Sequence, residues 1–307
     1  MVRRMHLSLN PSDTPSAAQV PVDLEVHVPE GDAPSSGFPA ILYCPGLRGN
    51  PQNLNRCITE YFTNQGFVTG AIRYKEIQPN TPEHAWVRPL DRVHEAVQSV
   101  DIMSARDDVD ANRVGIYGLS YGGPIAICAA SLATNVRAVV SAAGPGNGWR
   151  MMRSMRTRAE WSIFIARLEE DRRRQEEGEP PTKVSLLELL PFSDSYQKKL
   201  LKFQDELGLS PDDDVDPKYF LETAFYMLNF HPEQAAALLH NIPLLQICGD
   251  QDECATHAQI EEISKFASCE NKIHWMPGGT DHLDLHVNPG RNKQLALASD
   301  WFATHLH

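Results

Sequence analysis

One serine in the chain stands between glycines in a pattern that is typical of an enzyme nucleophile. Ser120 occupies the centre of a Gly-x-Ser-x-Gly motif at residues 118–122, directly after an apolar run and before an apolar helical pattern. Glycines on both sides permit a sharp turn between strand and helix, which holds the serine in a strained conformation with its hydroxyl exposed. The competing interpretation is a glycine-rich turn whose serine only caps the following helix. The strand, turn and helix context favours the nucleophile.

A serine hydroxyl needs a base that removes its proton and an acid group that orients the base. Candidates for both follow later predicted strands. Asp252 stands in a turn after residues 243–248, and His282 stands in a glycine-rich loop after residues 272–276. Because open α/β sheets build their sites at the carboxyl ends of the strands, we expect Ser120, Asp252 and His282 to lie together. Such a set performs acyl transfer through a covalent intermediate on the serine.

The segment around the serine resembles a known superfamily. Residues 110–123, Asp-Ala-Asn-Arg-Val-Gly-Ile-Tyr-Gly-Leu-Ser-Tyr-Gly-Gly, are similar to the nucleophile elbows of the α/β hydrolases. They look most like those of dienelactone hydrolases, prolyl-oligopeptidase-like peptidases and cocaine-esterase-like acyl hydrolases. The resemblance covers the chain apart from one insertion. It implies a serine hydrolase with an α/β-hydrolase fold, a triad in the chain order serine, aspartate, histidine, and no cofactor.

Two positions of this triad have competitors nearby. Asp250 flanks the same turn as Asp252, but Asp252 has the Gly-x-x-Asp spacing that the resemblance implies, which leaves Asp250 as a turn or capping residue. His274 belongs to the strand pattern, and His286 lies one helical turn beyond His282. We therefore expect Asp252 and His282 to act with the serine.

The resemblance also implies an oxyanion hole made of two main-chain N–H groups. Tyr121, directly after the nucleophile, would supply one of them, and Leu47, in the loop at residues 44–49, would supply the other. Pro45 stands where the superfamily commonly has histidine, a departure that affects the geometry of the loop but removes no main-chain donor. Arg48 in the same loop is a candidate substrate-binding residue, with a solvated loop charge as the simpler interpretation.

The loop around His282 also contains a pattern that is typical of metal sites. Asp281, His282, Asp284 and His286 place two histidines four residues apart with carboxylates among them. A third ligand segment is missing from the sequence, and the triad accounts for His282 without a metal. We therefore predict no metal site.

The elements that must position these residues alternate between short apolar runs and longer helical patterns. The alternation predicts an α/β fold in which a mostly parallel, doubly wound sheet carries helices on both faces. Strands are predicted at residues 22–28, 40–44, 67–74, 113–117, 136–142, 243–248 and 272–276, and helices at residues 91–105 and 124–132.

The alternation stops between residues 146 and 233, where apolar residues recur at helical spacing. This pattern predicts an all-helical insertion. We expect residues 1–145 and 234–307 to form the α/β-hydrolase core, and residues 146–233 to form a helical cap over the active site, as the resemblance implies.

The insertion is rich in aromatic residues, enough to cover a mid-sized hydrophobic substrate. Trp161 and Tyr226 are the candidate substrate-binding residues within it. An insertion of this length inside a compact domain is more often functional than incidental. The alternative is an insertion that only packs, with a homodimer as one consequence.

Composition argues against several kinds of partner. The chain has 307 residues, with 28 Lys+Arg against 40 Asp+Glu and a formal net charge of −12. This acidic balance argues against nucleic acid and against a membrane surface. The sequence has no apolar run of signal-peptide or membrane-spanning length, and its six cysteines lack clustered spacing. We therefore expect a reduced, cytoplasmic protein that acts on a small molecule.

These observations favour a serine hydrolase that cleaves an ester, lactone or thioester of a mid-sized, hydrophobic metabolite. A prolyl-oligopeptidase-like small peptidase is the first alternative, although the chain has no room for the large propeller of that family. A non-hydrolytic cyclase or transferase, or a ligand receptor, on the same scaffold is the second, because a fold does not determine a function.

Overall fold

A central sheet organises the part of the chain that the computed structural model describes, namely residues 3–9, 22–49, 52–77, 85–203, 206 and 217–306. Its eight strands are β1 (Arg3–Leu9), β2 (Val22–Val28), β3 (Phe38–Cys44), β4 (Val68–Ile72), β5 (Val109–Leu119), β6 (Val136–Ala142), β9 (Leu244–Gly249) and β10 (Asn271–Met276). Their order across the sheet is β1-β2-β4-β3-β5-β6-β9-β10. Only β1 with β2 and β2 with β4 pair antiparallel in it, and the remaining pairs are parallel.

Helices cover both faces of this sheet. They are α1 (Gln52–Asn64), α2 (Pro89–Ser104), α3 (Gly122–Leu132), α4 (Gly148–Ser154), α5 (Arg158–Glu176), α6 (Leu186–Leu189), α7 (Asp194–Lys202), α8 (Thr223–Leu228), α9 (Pro232–Ala236), α10 (His257–Phe266) and α11 (Gly290–His305). Phe62 of α1 and Phe302 of α11 belong to one apolar cluster, and Val93 of α2 and Ile125 of α3 belong to another. Because strands buried on both sides need apolar side chains on both faces, the core strands read as near-continuous apolar runs. The predicted α/β fold with a doubly wound, mostly parallel sheet is confirmed.

The segment between β6 and β9 is mostly helical, with α4 to α9 in it, but it also contains a short ribbon. Strands β7 (Lys183–Ser185) and β8 (Lys218–Phe220) pair antiparallel, with Val184 opposite Tyr219. The prediction of an all-helical insertion is therefore wrong in this detail. Strands of three residues are too short to show an alternating pattern, so they could not be predicted from the sequence. The cap boundaries at residues 146 and 233 stay a prediction, and α9 runs across the second of them.

Within the residues that the structure describes, none of the helices combines the length and the apolar character that crossing a bilayer requires.

Candidate active site

The turn between β5 and α3 holds Ser120 in an unusual backbone conformation. Its φ angle is +55°, in the left-handed region that side chains other than glycine rarely adopt. The turn is tight, because a Cβ atom on Gly118 would overlap the main-chain oxygen of Gly122, and a Cβ atom on Gly122 would overlap that of Cys44. The N–H of Ser120 donates to the main-chain oxygen of Ala142 at 2.8 Å, which ties the turn to the end of β6. The motif thus forms the strained elbow that its glycines predict.

The three side chains that the sequence analysis selected lie in one hydrogen-bonded chain. Ser120 Oγ is 2.9 Å from His282 Nε2, and His282 Nδ1 is 2.8 Å from Asp252 Oδ2. Since an ionised carboxylate only accepts hydrogen bonds, Nδ1 carries the proton and Nε2 is free to accept from the serine hydroxyl. Asp252 follows β9, and its other oxygen accepts the main-chain N–H groups of Cys254 and Ala255, each at 2.8 Å. These two hydrogen bonds hold the Asp252 carboxylate in the orientation in which its second oxygen contacts the imidazole of His282.

The buried pair of Asp252 and His282 shifts the pKa of each partner toward the charged form. Burial acts to lower the pKa of His282, but the charge and hydrogen bond of Asp252 outweigh it, so this pKa lies above the ordinary value for histidine. Burial likewise acts to raise the pKa of Asp252, but His282 and the two main-chain donors hold it below its usual range. Asp252 is therefore ionised at neutral pH, and its charge favours the protonated form of His282.

The competitors of the triad residues have other contacts. Asp250 accepts the main-chain N–H of Gly279 at 3.3 Å, across the turn, and so acts on the loop rather than on the imidazole. His286 Nδ1 donates to the main-chain oxygen of His282 at 2.9 Å, with the two rings 5.0 Å apart. Burial and the neighbouring His282 lower the pKa of His286 to about 3, so its ring is neutral. His274 lies in β10, half-buried.

The loop after β3 carries the first proposed oxyanion donor. Leu47 lies in a turn closed by a hydrogen bond of 2.9 Å from the N–H of Gly49 to the oxygen of Gly46. Within the described part of the chain, the main-chain N–H groups of Leu47 and Tyr121 donate no hydrogen bond to another residue. Neither N–H group therefore has an acceptor among the described residues. Arg48, in the same turn, is half-buried.

A buried arginine that the sequence analysis missed binds the main-chain oxygens of this loop. Arg92 of α2 is 0% exposed and donates to the main-chain oxygens of Gly46 at 3.1 Å and Leu47 at 2.7 Å. Its Nε donates to Glu76 at 2.5 Å. The sequence did contain an indication of this role, because Arg92 stands four residues before Ala96 and so lies on the apolar face of the helix. A charge is rarely buried there unless it has a specific partner.

Helix α7 of the inserted segment contacts the loops that carry Asp252 and His282. The ring of Tyr196 lies 6.3 Å from the ring of His282. Lys199 Nζ forms ion pairs with Asp281 at 2.7 Å and Asp284 at 2.6 Å, on either side of the histidine. The N–H of Ser193 donates to Glu253, the residue after Asp252, at 3.1 Å. The sequence analysis did not select these residues, because nothing in their local pattern indicates what they contact.

The two aromatic residues selected in the insertion have their contacts elsewhere. Trp161 packs against Trp149 and Phe164, with ring centroids 5.9 Å apart in both cases. The Tyr226 hydroxyl donates to Glu222 at 3.0 Å, and its ring lies 6.2 Å from that of Trp86. Among the ring contacts and hydrogen bonds of the described residues, neither one touches Ser120 or His282. Substrate binding by Trp161 and Tyr226 stays a prediction.

The two carboxylates of the pattern that is typical of metal sites form ion pairs with a lysine side chain. Asp281 and Asp284 both bind Lys199, and His286 donates to a main-chain oxygen. The ligand atoms of Asp252, Cys254 and His282 do lie within 4.8 Å of one another. The hydrogen bond between Asp252 and His282 accounts for that proximity, and burial raises the pKa of the Cys254 thiol well above its usual range. The carboxylates and histidines of the pattern are thus engaged with other groups of the protein.

Comparison with solved structures identifies the fold. The α/β hydrolase GrgF from Penicillium sp. sh18 superimposes with a TM-score of 0.76 over 99% of this chain and 99% of its own, at 15% identity. The chain has the α/β-hydrolase fold. A dienelactone hydrolase from Anabaena variabilis shares this fold with a TM-score of 0.57, covering 100% of this chain and 99% of that one at 17% identity. The resemblance stated from the elbow is thus confirmed at the level of the fold.

Sequence comparison adds two similarities. A family model described as acetyl xylan esterase (AXE1) matches residues 61–177, a segment that includes the elbow and Ser120. An uncharacterized 31.7 kDa protein from the traX-finO intergenic region of Escherichia coli is 22% identical over 285 residues, which cover 93% of this chain and 96% of that protein.

Proposed function

We propose that the protein is a serine hydrolase that cleaves an ester, lactone or thioester of a mid-sized, hydrophobic metabolite. The observation that carries the proposal is the hydrogen-bonded chain from Ser120 through His282 to Asp252, starting at a serine with a strained backbone. The similarity to an acetyl xylan esterase family model and to a dienelactone hydrolase supports ester chemistry.

The reaction follows from this geometry in two steps. His282 Nε2 takes the proton of the Ser120 hydroxyl while Oγ attacks the carbonyl carbon, and the N–H groups of Leu47 and Tyr121 stabilise the negative oxygen of the tetrahedral intermediate. The intermediate collapses as the imidazolium returns its proton to the leaving oxygen or sulfur, which leaves an acyl group on Ser120. Water, deprotonated by His282, then attacks the acyl-enzyme, and the imidazolium returns the proton to Ser120 Oγ as the acid is released. Asp252 keeps the imidazole in the productive tautomer throughout.

The proposal is tested by the bond type that the purified protein cleaves. We expect turnover of p-nitrophenyl esters and of a δ-lactone, with a burst of p-nitrophenol stoichiometric with enzyme where deacylation limits the rate. The matched substrate is a p-nitroanilide with the same acyl group, whose amide bond should be cleaved far more slowly. Faster cleavage of the anilide would favour a peptidase, and the absence of turnover on every substrate would contradict the proposal.

We also propose that the inserted segment, residues 146–233, is a cap that determines which acyl groups reach Ser120. Its support is the set of contacts that α7 makes with the loops of His282 and Asp252. Tyr196 stacks on Phe192 at 4.3 Å, so its ring is held firmly beside the base. A second contact comes from Phe230, whose ring lies 6.2 Å from that of Tyr121. Remote contacts of this kind orient the scissile carbonyl and exclude water.

Replacing Tyr196 by alanine is expected to change the relative kcat/KM among short, long and aromatic acyl esters by about tenfold, the scale of a lost apolar contact in a pocket. Trp161→Ala is measured beside it, because Trp161 is an aromatic residue of the same segment that makes its ring contacts with Trp149 and Phe164. A changed ranking in this variant would support the separate prediction that Trp161 binds substrate. The unfolding temperature of both variants is measured alongside the ranking. An unchanged ranking in folded Tyr196→Ala would show that this side chain only packs.

A further inference from the structure

The guanidinium of Arg92 lies at the centre of a buried polar cluster behind the elbow. It is bound on one side by Glu76, whose second oxygen accepts the main-chain N–H of Arg88 at 2.9 Å. Its plane lies over the ring of Tyr74, 4.6 Å from the centroid. Its two terminal nitrogens, Nη1 and Nη2, donate to two successive main-chain oxygens of the loop after β3, those of Gly46 and Leu47. A planar, forked donor is suited to such a task, and an ammonium group is not.

The geometry of the peptide unit converts these contacts into an orientation for Leu47. In a trans peptide the C=O of one residue and the N–H of the next point in opposite directions. Because Arg92 binds the oxygen of Gly46, the N–H of Leu47 is turned away from the guanidinium. The hydrogen bond to the oxygen of Leu47 fixes the following peptide in the same way. One side chain thus sets the direction of the main-chain donor that the proposed reaction needs.

The same cation is close to both residues that carry the proposed donors. Its central carbon lies 5.9 Å from the ring centroid of Tyr121, the residue after the nucleophile. The loop itself packs on the elbow, since a Cβ atom on Gly122 would lie 2.7 Å from the main-chain oxygen of Pro45. Arg92 therefore holds by hydrogen bonds a loop that itself packs directly on the elbow.

The charges of the cluster are balanced, so Arg92 acts through the position of the groups that it binds and not through its own charge. Glu76 pairs with Arg92, whereas burial raises the pKa of nearby Glu95 to about 8, so that this carboxyl is largely neutral at pH 7. Arg92 and Glu76 compensate each other's charge. A compensated pair contributes little net field at the reacting carbonyl, so its effect must come from the position of the groups it binds.

We infer that Arg92, supported by Glu76, is a positioning residue that aligns the oxyanion hole of the proposed serine hydrolase. This inference rests on the proposed function. Its consequence is specific, because a misplaced donor weakens binding of the tetrahedral oxygen but leaves binding of the ground-state ester nearly unchanged. Replacing a residue that only stabilises the fold would change neither the binding of the tetrahedral oxygen nor the binding of the ground-state ester in the folded enzyme.

The test is Arg92→Lys, which keeps the positive charge but removes the planar guanidinium whose two terminal nitrogens bind the loop. We expect kcat for a p-nitrophenyl ester to fall by about 10²-fold, with KM within about threefold of the wild-type value. The inhibition constant of an alkyl trifluoromethyl ketone, whose hemiketal oxygen occupies the oxyanion hole, should rise by a similar factor. The matched control is Arg113→Lys, because Arg113 of β5 is half-buried and also donates to a main-chain oxygen, that of Leu306 at 2.6 Å, but lies outside the loop after β3 and outside the inserted segment.

The control variant should lose thermal stability but keep kcat and the inhibition constant within about twofold, since it lies outside the loop. If Arg92→Lys does not fold, Glu76→Gln serves instead, because it removes the charge that fixes the guanidinium, and the same two constants should shift in the same direction. Wild-type values of both constants in a folded variant would overturn the inference. An inactive wild-type protein would instead contradict the proposed function, so the two failures are distinguishable.

Discussion

Replacing His282 by alanine is expected to lower kcat for ester hydrolysis by about 10⁶-fold, the scale of loss when the base of a serine triad is removed. His282 is the group within hydrogen-bonding distance of Ser120 Oγ, at 2.9 Å, and without it the hydroxyl keeps its proton. The measurement is steady-state hydrolysis of a p-nitrophenyl ester by freshly purified protein, with circular dichroism to verify the fold.

His286→Ala provides the comparison for this experiment. His286 is neutral and donates to the main-chain oxygen of His282, so its removal should cost stability and keep the larger part of kcat. An inactive His286→Ala together with an active His282→Ala would contradict the assignment of the base.

The second large effect is expected for Asp252→Asn, at about 10⁴-fold in kcat. An asparagine in this place can hold the imidazole in the wrong tautomer and gives no charge to stabilise the imidazolium. In the wild type, kcat/KM should fall as the pH drops through the pKa of His282, because the protonated ring cannot accept the serine proton. Since Asp252 holds that pKa above its ordinary value, the acid limb should move to lower pH in the variant. A full pH profile of both proteins measures the plateau and the limb together.

Asp250→Asn is the matched control, because it makes the same chemical change two residues away. Asp250 contacts the N–H of Gly279 and should lose little activity on substitution, with an unshifted acid limb. Equal losses in the two variants, or a larger loss in Asp250→Asn, would move the role of the acid to Asp250.

The residues whose role depends on local geometry were accessible from the sequence. The glycines around Ser120 predict a turn that only a small set of backbone conformations satisfies, and the structure has that turn with a positive φ angle. Asp252 and His282 each follow an apolar run, and parallel strands bring their carboxyl ends to one edge. The strand pattern therefore contained enough information to place all three together.

Residues whose role depends on distant partners were not accessible in this way. Arg92 lies 45 residues from the Leu47 oxygen that it binds, and Tyr196 lies in a helix with no pattern that points to His282. The ribbon of β7 and β8 and the antiparallel edge strand β1 likewise depend on pairing with segments far along the chain. Trp161 and Tyr226 were selected for their aromatic type, which indicates burial but not the neighbour against which the side chain is buried.

Covalent labelling of Ser120 by a fluorophosphonate tests the central claim most directly, because the probe reacts with a serine that a base has activated. The protein is treated with a sub-stoichiometric to equimolar series of the probe, and the adduct is located by mass mapping of its peptides. We expect a single adduct on Ser120, none in Ser120→Ala, and labelling slowed by orders of magnitude in His282→Ala. An adduct on another residue, or undiminished labelling of Ser120→Ala, would contradict the assignment of Ser120 as the nucleophile.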